Sequence, residues 1–325
     1  MKTRAIAIGF AALALSGCLN RIAWMPDGRR LVYVQDSAVW LITLDGVRTK
    51  LADAAGLEGA EVAVAPRGGL IAVAGKAGRI TVFDEAGKIR WTGTVPGEDV
   101  QLVPGCWSPD GTRLFADGGK RSLLIDLAAG AARQIEAGDA PRFTTAGEFV
   151  SLRVAGTRAT LDRLPATGAT GSTPWKLPAG LEEPSPLLLA HDAAAAWWSG
   201  KRAAHEVVVL AGADGRILFT STRTMTAIGP DDRSYVTTEG GYALIDARTG
   251  SVTNLNPVYN ALLRMDLNWQ LADPVAAAEK YDAEALLKTC LPAFSPDGTR
   301  AAILTPRMVC LIMLKTAEVV AIAKW

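Results

Sequence analysis

The chain has 325 residues with 34 basic and 33 acidic side chains, and its net charge of +1 gives neither nucleic acid nor an anionic surface a reason to bind. Glycine (32) and proline (17) are spread along the whole length and charges of both signs are interspersed, which excludes a long disordered tract and points to an all-β protein with many turns. No run of about 18 apolar residues occurs after residue 17, so the rest of the sequence offers no transmembrane helix.

The first eighteen residues read as a targeting segment. Met1-Lys2-Thr3-Arg4 is basic, Ala5 to Leu15 is an apolar run too short to span a bilayer, and the segment ends Leu15-Ser16-Gly17-Cys18. This ending resembles the lipobox of bacterial lipoproteins, in which a branched residue and two small ones precede a cysteine that receives a diacylglycerol. The resemblance implies that residues 1–17 are a signal peptide that is removed and that Cys18 is lipidated as the first mature residue, whereas an ordinary secretory signal would leave Cys18 a bystander. Leu19 follows, with no Asp of the kind that resembles an inner-membrane retention signal. The expectation is therefore a lipid-anchored, periplasm-facing protein of the outer membrane, with the inner membrane as the alternative. Taking Lys2 and Arg4 from the 34 basic side chains leaves 32 against 33 acidic ones in the mature chain. In an oxidising compartment Cys106, Cys290 and Cys310 allow at most one intramolecular disulfide, for which Cys290 and Cys310 are nearest in sequence; equally, all three can be small buried hydrophobes.

The residues from 18 to 325 are organised by repeats. Ala23-Trp24-Met25-Pro26-Asp27-Gly28 returns as Cys106-Trp107-Ser108-Pro109-Asp110-Gly111 and as Ala293-Phe294-Ser295-Pro296-Asp297-Gly298, each followed by an apolar β-run. Weaker copies lie around Pro66, Thr145, His191 and Pro230. The marks fall at 26, 66, 109, 145, 191, 230 and 296, so five steps run from 36 to 46 residues, close to the roughly 40 to 45 of a four-stranded propeller blade, and the last is 66. In the third repeat Pro109-Asp110-Gly111 is a tight-turn sequence, and Arg113–Ala116, Ser122–Leu127 and Arg133–Glu136 are three β-runs that join the strand leading into Trp107. The same grammar recurs in Ala196-Trp197-Trp198, Val207–Leu210 and Ile217–Phe219, and in Ala302–Leu304, Val309–Leu314 and Val319–Ile322. The expected fold is an all-β, seven-bladed β-propeller of four-stranded antiparallel blades over residues 18–325, with one helical insertion, at about 256–290, before the last blade. Blades built from consecutive residues predict a ring closed by packing of the first blade on the last, with no strand borrowed across the termini. The Trp-Ser-Pro-Asp-Gly turn resembles the repeat of TolB-like, WD-repeat-like propellers, although the α/β domain that precedes the TolB propeller has no counterpart here.

Few residues suggest chemistry. The turn carboxylates Asp27, Asp110 and Asp297 are required for turn shape. His191 and His205 have no metal-ligand spacing around them, and there is no Gly-x-Ser-x-Gly elbow or phosphate loop, so no catalytic, cofactor or metal site is assigned. Asp84-Glu85-Ala86-Gly87-Lys88-Ile89-Arg90-Trp91 resembles the tryptophan-bearing repeat of quinoprotein-like propellers, but the related turns at Asp214 and Asp246 lack the tryptophan.

The insertion attracts more interest. Tyr259 to Leu271 contains Leu262, Leu263, Met265, Leu267 and Trp269, Asp273-Pro274 reads as an N-cap with proline at the first helical position, and Val275 to Thr289 reads as a helix of about four turns. It either covers its own propeller or docks a partner, with Tyr259, Arg264, Trp269 and Tyr281 as candidate contacts because aromatics and arginine dominate interface energetics. The leading reading is a non-enzymatic scaffold, expected to be monomeric, for a protein partner in cell-envelope assembly or maintenance. The alternative is a channel that binds a small molecule or glycan, with or without turnover. Acidic or histidine side chains converging at the channel mouth would favour the second, and an exposed apolar patch beside the insertion the first.

Overall fold

The structure is a computed structural model and describes residues 21–53, 60–95, 100–119, 121–164, 171–222, 226–229, 233–238, 241–258, 260–262, 264–265, 292–305 and 308–324. The first blade consists of β1 (Ile22–Trp24), β2 (Arg30–Gln35), β3 (Ala38–Thr43) and β4 (Arg48–Asp53). The next consists of β5 (Glu61–Val64), β6 (Ile71–Ala74), β7 (Arg79–Phe83) and β8 (Ile89–Thr94). The third sheet has β9 (Arg113–Ala116), β10 (Ser122–Asp126) and β11 (Ala131–Ile135). Then come β12 (Asp139–Phe143), β13 (Phe149–Ala155), β14 (Arg158–Leu164) and β15 (Gly171–Trp175), followed by β16 (Glu182–Leu189), β17 (Ala195–Arg202), β18 (His205–Gly212) and β19 (Ile217–Ser221). The last two blades are β20 (Thr226–Ile228) to β23 (Val252–Asn254), through β21 (Arg233–Thr238) and β22 (Gly241–Asp246), and β24 (Ala293–Phe294) to β27 (Glu318–Lys324), through β25 (Arg300–Leu304) and β26 (Met308–Met313). Each sheet is an antiparallel meander in chain order.

The expectation of seven four-stranded blades is corrected. The structure has six four-stranded blades, and β9–β11 form a sheet of three strands. The run that leads into Trp107 touches β9 and its continuation only through isolated bridges, Gln101 with Asp117 and Trp107 with Leu114. Between these bridges sits a turn at Pro104-Gly105, where proline supplies no N–H and Gly105 has φ +80°, so a continuous ladder cannot form. The buried carboxylate of Glu61, at the start of β5, instead accepts a hydrogen bond from the Leu102 N–H and fastens the segment from the neighbouring blade.

Alternation explains why the sheets form a ring. Along β2, Leu31 and Tyr33 pack with Ala302, Val309 and Leu311 of the last blade, while Val32 and Val34 pack with Val62, Ile71 and Val73 of the second. Along β26, Val309 and Leu311 face the first blade, while Met308, Cys310 and Ile312 face Tyr242 and Leu244. Successive side chains point to opposite faces, so an inner strand that is apolar at every position must be covered on both sides. The first blade therefore meets the last without exchanging a strand, as the repeat order predicts.

Polar contacts lock this seam. The Trp24 indole N–H donates to the Ala293 carbonyl at 2.8 Å. Arg300 Nη2 donates to the Gly28 carbonyl at 2.9 Å while its guanidinium lies 4.9 Å from the Trp24 ring centroid. The same clasp recurs where Arg113 reaches the Gly147 carbonyl at 2.8 Å and lies over Phe143, and Arg233 reaches the Gly298 carbonyl at 2.6 Å. At the same seam Gly46 (φ +88°) sits so close to the Ile322 carbonyl oxygen that a Cβ would lie 2.5 Å from it, which admits no other residue without a backbone shift.

The insertion also departs from expectation. Helical turns lie within residues 256–265, earlier than the Asp273 start, and Val275–Thr289 lies outside the described residues. Asn254 Oδ1 accepts from the Asn256 N–H at 2.7 Å and Pro257 follows in the first turn, which is a helix start in miniature. Leu255, Val258 and Leu262 are buried against Tyr242, Leu244, Ile303 and Ile312. Replacing Arg300 with Met is expected to cost about 2 kcal/mol in urea-unfolding free energy, through the lost charged hydrogen bond and ring stack. Arg30→Met, whose pair with Glu85 is partly solvent-exposed, is expected to cost less than about 1 kcal/mol in the same measurement.

Candidate functional site

The first strand of each repeat runs toward the Pro-Asp-Gly turn, so the turns gather at one end of the channel. A cavity of about 520 Å³ opens there, within the roughly 300–1,000 Å³ usual for small-ligand sites. Its wall includes Pro26, Pro66, Pro109, Thr145, His191 and Pro296, which are six of the seven positions that mark the repeats. Aromatic rings of Trp24, Trp107, Phe143 and Phe294 also line it, and among the described residues no acidic side chain does so. The turn carboxylates point into their own turns. Asp110 Oδ1 accepts from the Ser108 hydroxyl at 2.6 Å and the Thr112 N–H at 3.0 Å, and Asp297 Oδ1 accepts from Ser295 at 2.5 Å and Thr299 at 3.0 Å. The serine hydroxyls, then the threonine N–H groups, hold both carboxyls down to about 2. These aspartates shape turns and do not form a reactive ring.

One charged side chain reaches the cavity wall from within the protein. Arg142, on β12, is only 2% exposed, and its guanidinium donates to the carbonyl oxygens of Leu189 at 2.5 Å and Phe143 at 3.3 Å. Gly105 makes the space for it, since a Cβ there would lie 2.8 Å from Nη2. The broken inner strand of the third sheet and the buried arginine are thus one local arrangement. Nothing in the sequence marks Arg142, because an arginine in a β-run reads as solvent-facing; the Pro-Gly pair opposite it was the available signal.

Beyond the cavity, at the end where the inner strands begin, burial raises the Glu61 carboxyl to about 7 despite the bond from Leu102, and the Asp117 charge adds to the rise. Burial also raises Asp117, whose carboxylate accepts from the Gly119 N–H at 2.9 Å and the Ser122 hydroxyl at 3.0 Å. Cys106 is a buried thiol pushed up by burial and by Glu61, so it stays protonated at neutral pH and is a poor nucleophile.

The other sequence-derived candidates are dispersed. Arg264 is exposed at the end of the short helix, while Tyr259, Trp269 and Tyr281 lie outside the described residues, as do Cys18 and Cys290. Cys310 is fully buried in the core between the last two blades. His205 is exposed at the start of β18, and Trp91 is half-buried on the outer strand β8. Among the described residues no group of three His, Cys, Asp or Glu side chains could hold a metal ion, and no helix is long and apolar enough to cross a membrane.

Glu61 gives the site a measurable pH dependence. Its folded value near 7 lies above the ordinary value of 4.5, so its stabilising contribution is complete below about 4.5 and is lost as pH rises to about 7. Glu61→Gln, which keeps an acceptor for Leu102, is expected to match the wild type at pH 4 and to be more stable at pH 8 by about 2–3 kcal/mol in urea unfolding.

No family model matches the chain, and no curated protein matches it. Solved structures do. The C-terminal WD40 domain of Sif2 superposes with a TM-score of 0.53 at 15% identity, covering 91% of this chain and 81% of that one. A chain of the mitotic checkpoint complex superposes with a TM-score of 0.53 at 15% identity, covering 89% and 84%. At such identities the likeness is one of fold alone, and that fold is the WD40-type β-propeller.

Proposed function

We propose that the chain is a lipid-anchored periplasmic propeller that acts as a non-enzymatic scaffold for a protein partner in cell-envelope assembly or maintenance. The propeller fold supports a scaffolding role, and one structural neighbour is itself a chain of a multi-protein complex. The lipobox-like Leu15-Ser16-Gly17-Cys18 supports the anchor, with the outer membrane preferred because Leu19 follows the cysteine. The resemblance of the Trp-Ser-Pro-Asp-Gly turn to TolB-like repeats supports the envelope setting.

The observation that carries the docking role is a pair of exposed valines on the two blades that hold the insertion. Val252 on β23 and Val320 on β27 are 55% and 43% exposed, on the outer strands of the two blades between which the short helix is seated. Outer strands with large exposed side chains are open to a partner, and exposed Arg264 lies on the same insertion. On this reading the anchor also orients the scaffold. β1 starts four residues after Cys18, a reach of at most ~14 Å, and runs toward the Pro-Asp-Gly turns. A lipid on Cys18 therefore brings the end where inner strands begin to the membrane and turns the cavity toward the periplasm.

The test is an in-cell crosslinking pull-down with wild type, Cys18→Ala and the surface variant Val252→Lys/Val320→Lys/Arg264→Glu. The surface variant is expected to stay folded and to lose at least tenfold of partner recovery, and Cys18→Ala to lose both membrane association and palmitate label. Full recovery with the surface variant refutes the docking surface, and an unlabelled wild type refutes the anchor. Leu255, Val258 and Leu262 must stay unaltered in this experiment because they belong to the core.

A further inference from the structure

We infer that the cleft between the third sheet and the fourth blade is a binding site for a neutral saccharide. It shares no lining residue with the channel cavity or with the surface formed by Val252, Val320 and Arg264, so this inference and the scaffold reading can fail independently.

The seam that holds the cleft has the smallest buried core of the ring among the described residues. Along β13 and β14, Val150, Leu152, Ala159 and Leu161 are buried against the fifth blade. The alternate positions, Ser151 and Arg153 on β13 with Asp162 and Thr160 directly opposite on β14, point the other way and are polar. That face looks at the third sheet, because Phe149 from the same row packs on Phe115 with ring centroids 4.7 Å apart. The buried core there is Phe115, Leu124, Phe143 and Phe149, and beyond it the two sheets enclose a cavity of about 530 Å³. Hydrocarbon fills the seam on the other face of the same blade; here polar side chains stand in its place.

The wall offers donors and acceptors in fixed positions, and its charges cancel. Arg153 Nε donates to Asp162 Oδ2 at 2.9 Å, and Asp162 Oδ1 accepts from the Ser172 hydroxyl at 2.7 Å. Arg163 donates to Glu148 at 2.6 Å. Arg133 and Glu136, which line the cavity from the third sheet, are one charge of each sign and have no ion pair among the described residues. Arg133 lies opposite Leu124 in the strand register, which places it on the side that faces the fourth blade.

A ligand with a net charge gains little from a wall whose charges cancel. Sugar hydroxyls, each able to donate and to accept, match a mixed set of guanidinium N–H groups, carboxylate oxygens and hydroxyls. Half-buried Ile135 and Leu164 line the same cavity and give the C–H face of a sugar ring its apolar contact. The polar groups are also reachable, since Arg153 and Asp162 keep 54% and 25% of their side-chain surface.

The experiment uses the purified full chain with maltose, lactose and N,N′-diacetylchitobiose as probes, followed by calorimetry and saturation-transfer NMR. At least one is expected to bind saturably at one site, with an affinity that changes less than twofold between about 50 and about 500 mM salt. Arg133→Ala, at an exposed position, is expected to weaken that binding about tenfold. Ser172→Trp, exposed on the outer strand β15, fills the cleft and is expected to abolish binding with an unchanged circular-dichroism spectrum, whereas a sugar held in the central channel would be untouched by it. The proposal is overturned by an absence of saturable binding for all three probes or by full affinity in folded Ser172→Trp. It is equally overturned by a salt-sensitive affinity for glucuronate at least tenfold above that for glucose, which would make the site one for anions.

Discussion

An inner β-strand that is apolar at every position cannot be buried by one neighbour, and the whole architecture follows from that. Leu31 and Tyr33 need one partner sheet while Val32 and Val34 need another, so each sheet is stable only between two others. A linear stack would leave two raw faces, whereas a ring leaves none. The remaining edges are outer strands such as β11, whose short run of small and charged side chains is mostly exposed and offers little to an uninvited strand.

Within this ring the polar residues divide by task. Asp110 and Asp297 spend their carboxylates on their own turns, and the arginines that open the second strands clasp the glycine carbonyl of the adjacent turn. Such groups make the turn-bearing end stiff. Arg142 differs, because it is buried at a cavity wall and belongs to no repeated turn contact. The contrast separates residues that every blade needs from residues that only this channel has.

Much of the fold was legible because a propeller repeats. The Pro-Asp-Gly marks, the β-runs after them and the closure without an exchanged strand all follow from local periodicity. The third sheet departs from the repeat because Pro104-Gly105 interrupts the run into Trp107, a break that the recurrence of the turn does not reveal. The early helix is marked only by Asn254 and Pro257, a shorter signal than the Ala-rich segment after Asp273. Site residues were harder. His191 stood out as a substitute at a proline mark, yet its place on the cavity wall depends on six repeats converging. The burial of Arg142 depends on a glycine in another sheet and leaves no local trace.

The seam between Gly28 and Arg300 joins residues 272 apart in the chain. A polypeptide made from its N-terminus must hold Leu31, Tyr33 and Ile42 uncovered until Ala302, Val309 and Leu311 emerge, so the first sheet waits for the last throughout synthesis. Any product cut short before that final hairpin carries a permanently greasy flank. Completion of the circle thus doubles as a length check, marking unfinished molecules for holdases and proteases by the surface they cannot hide.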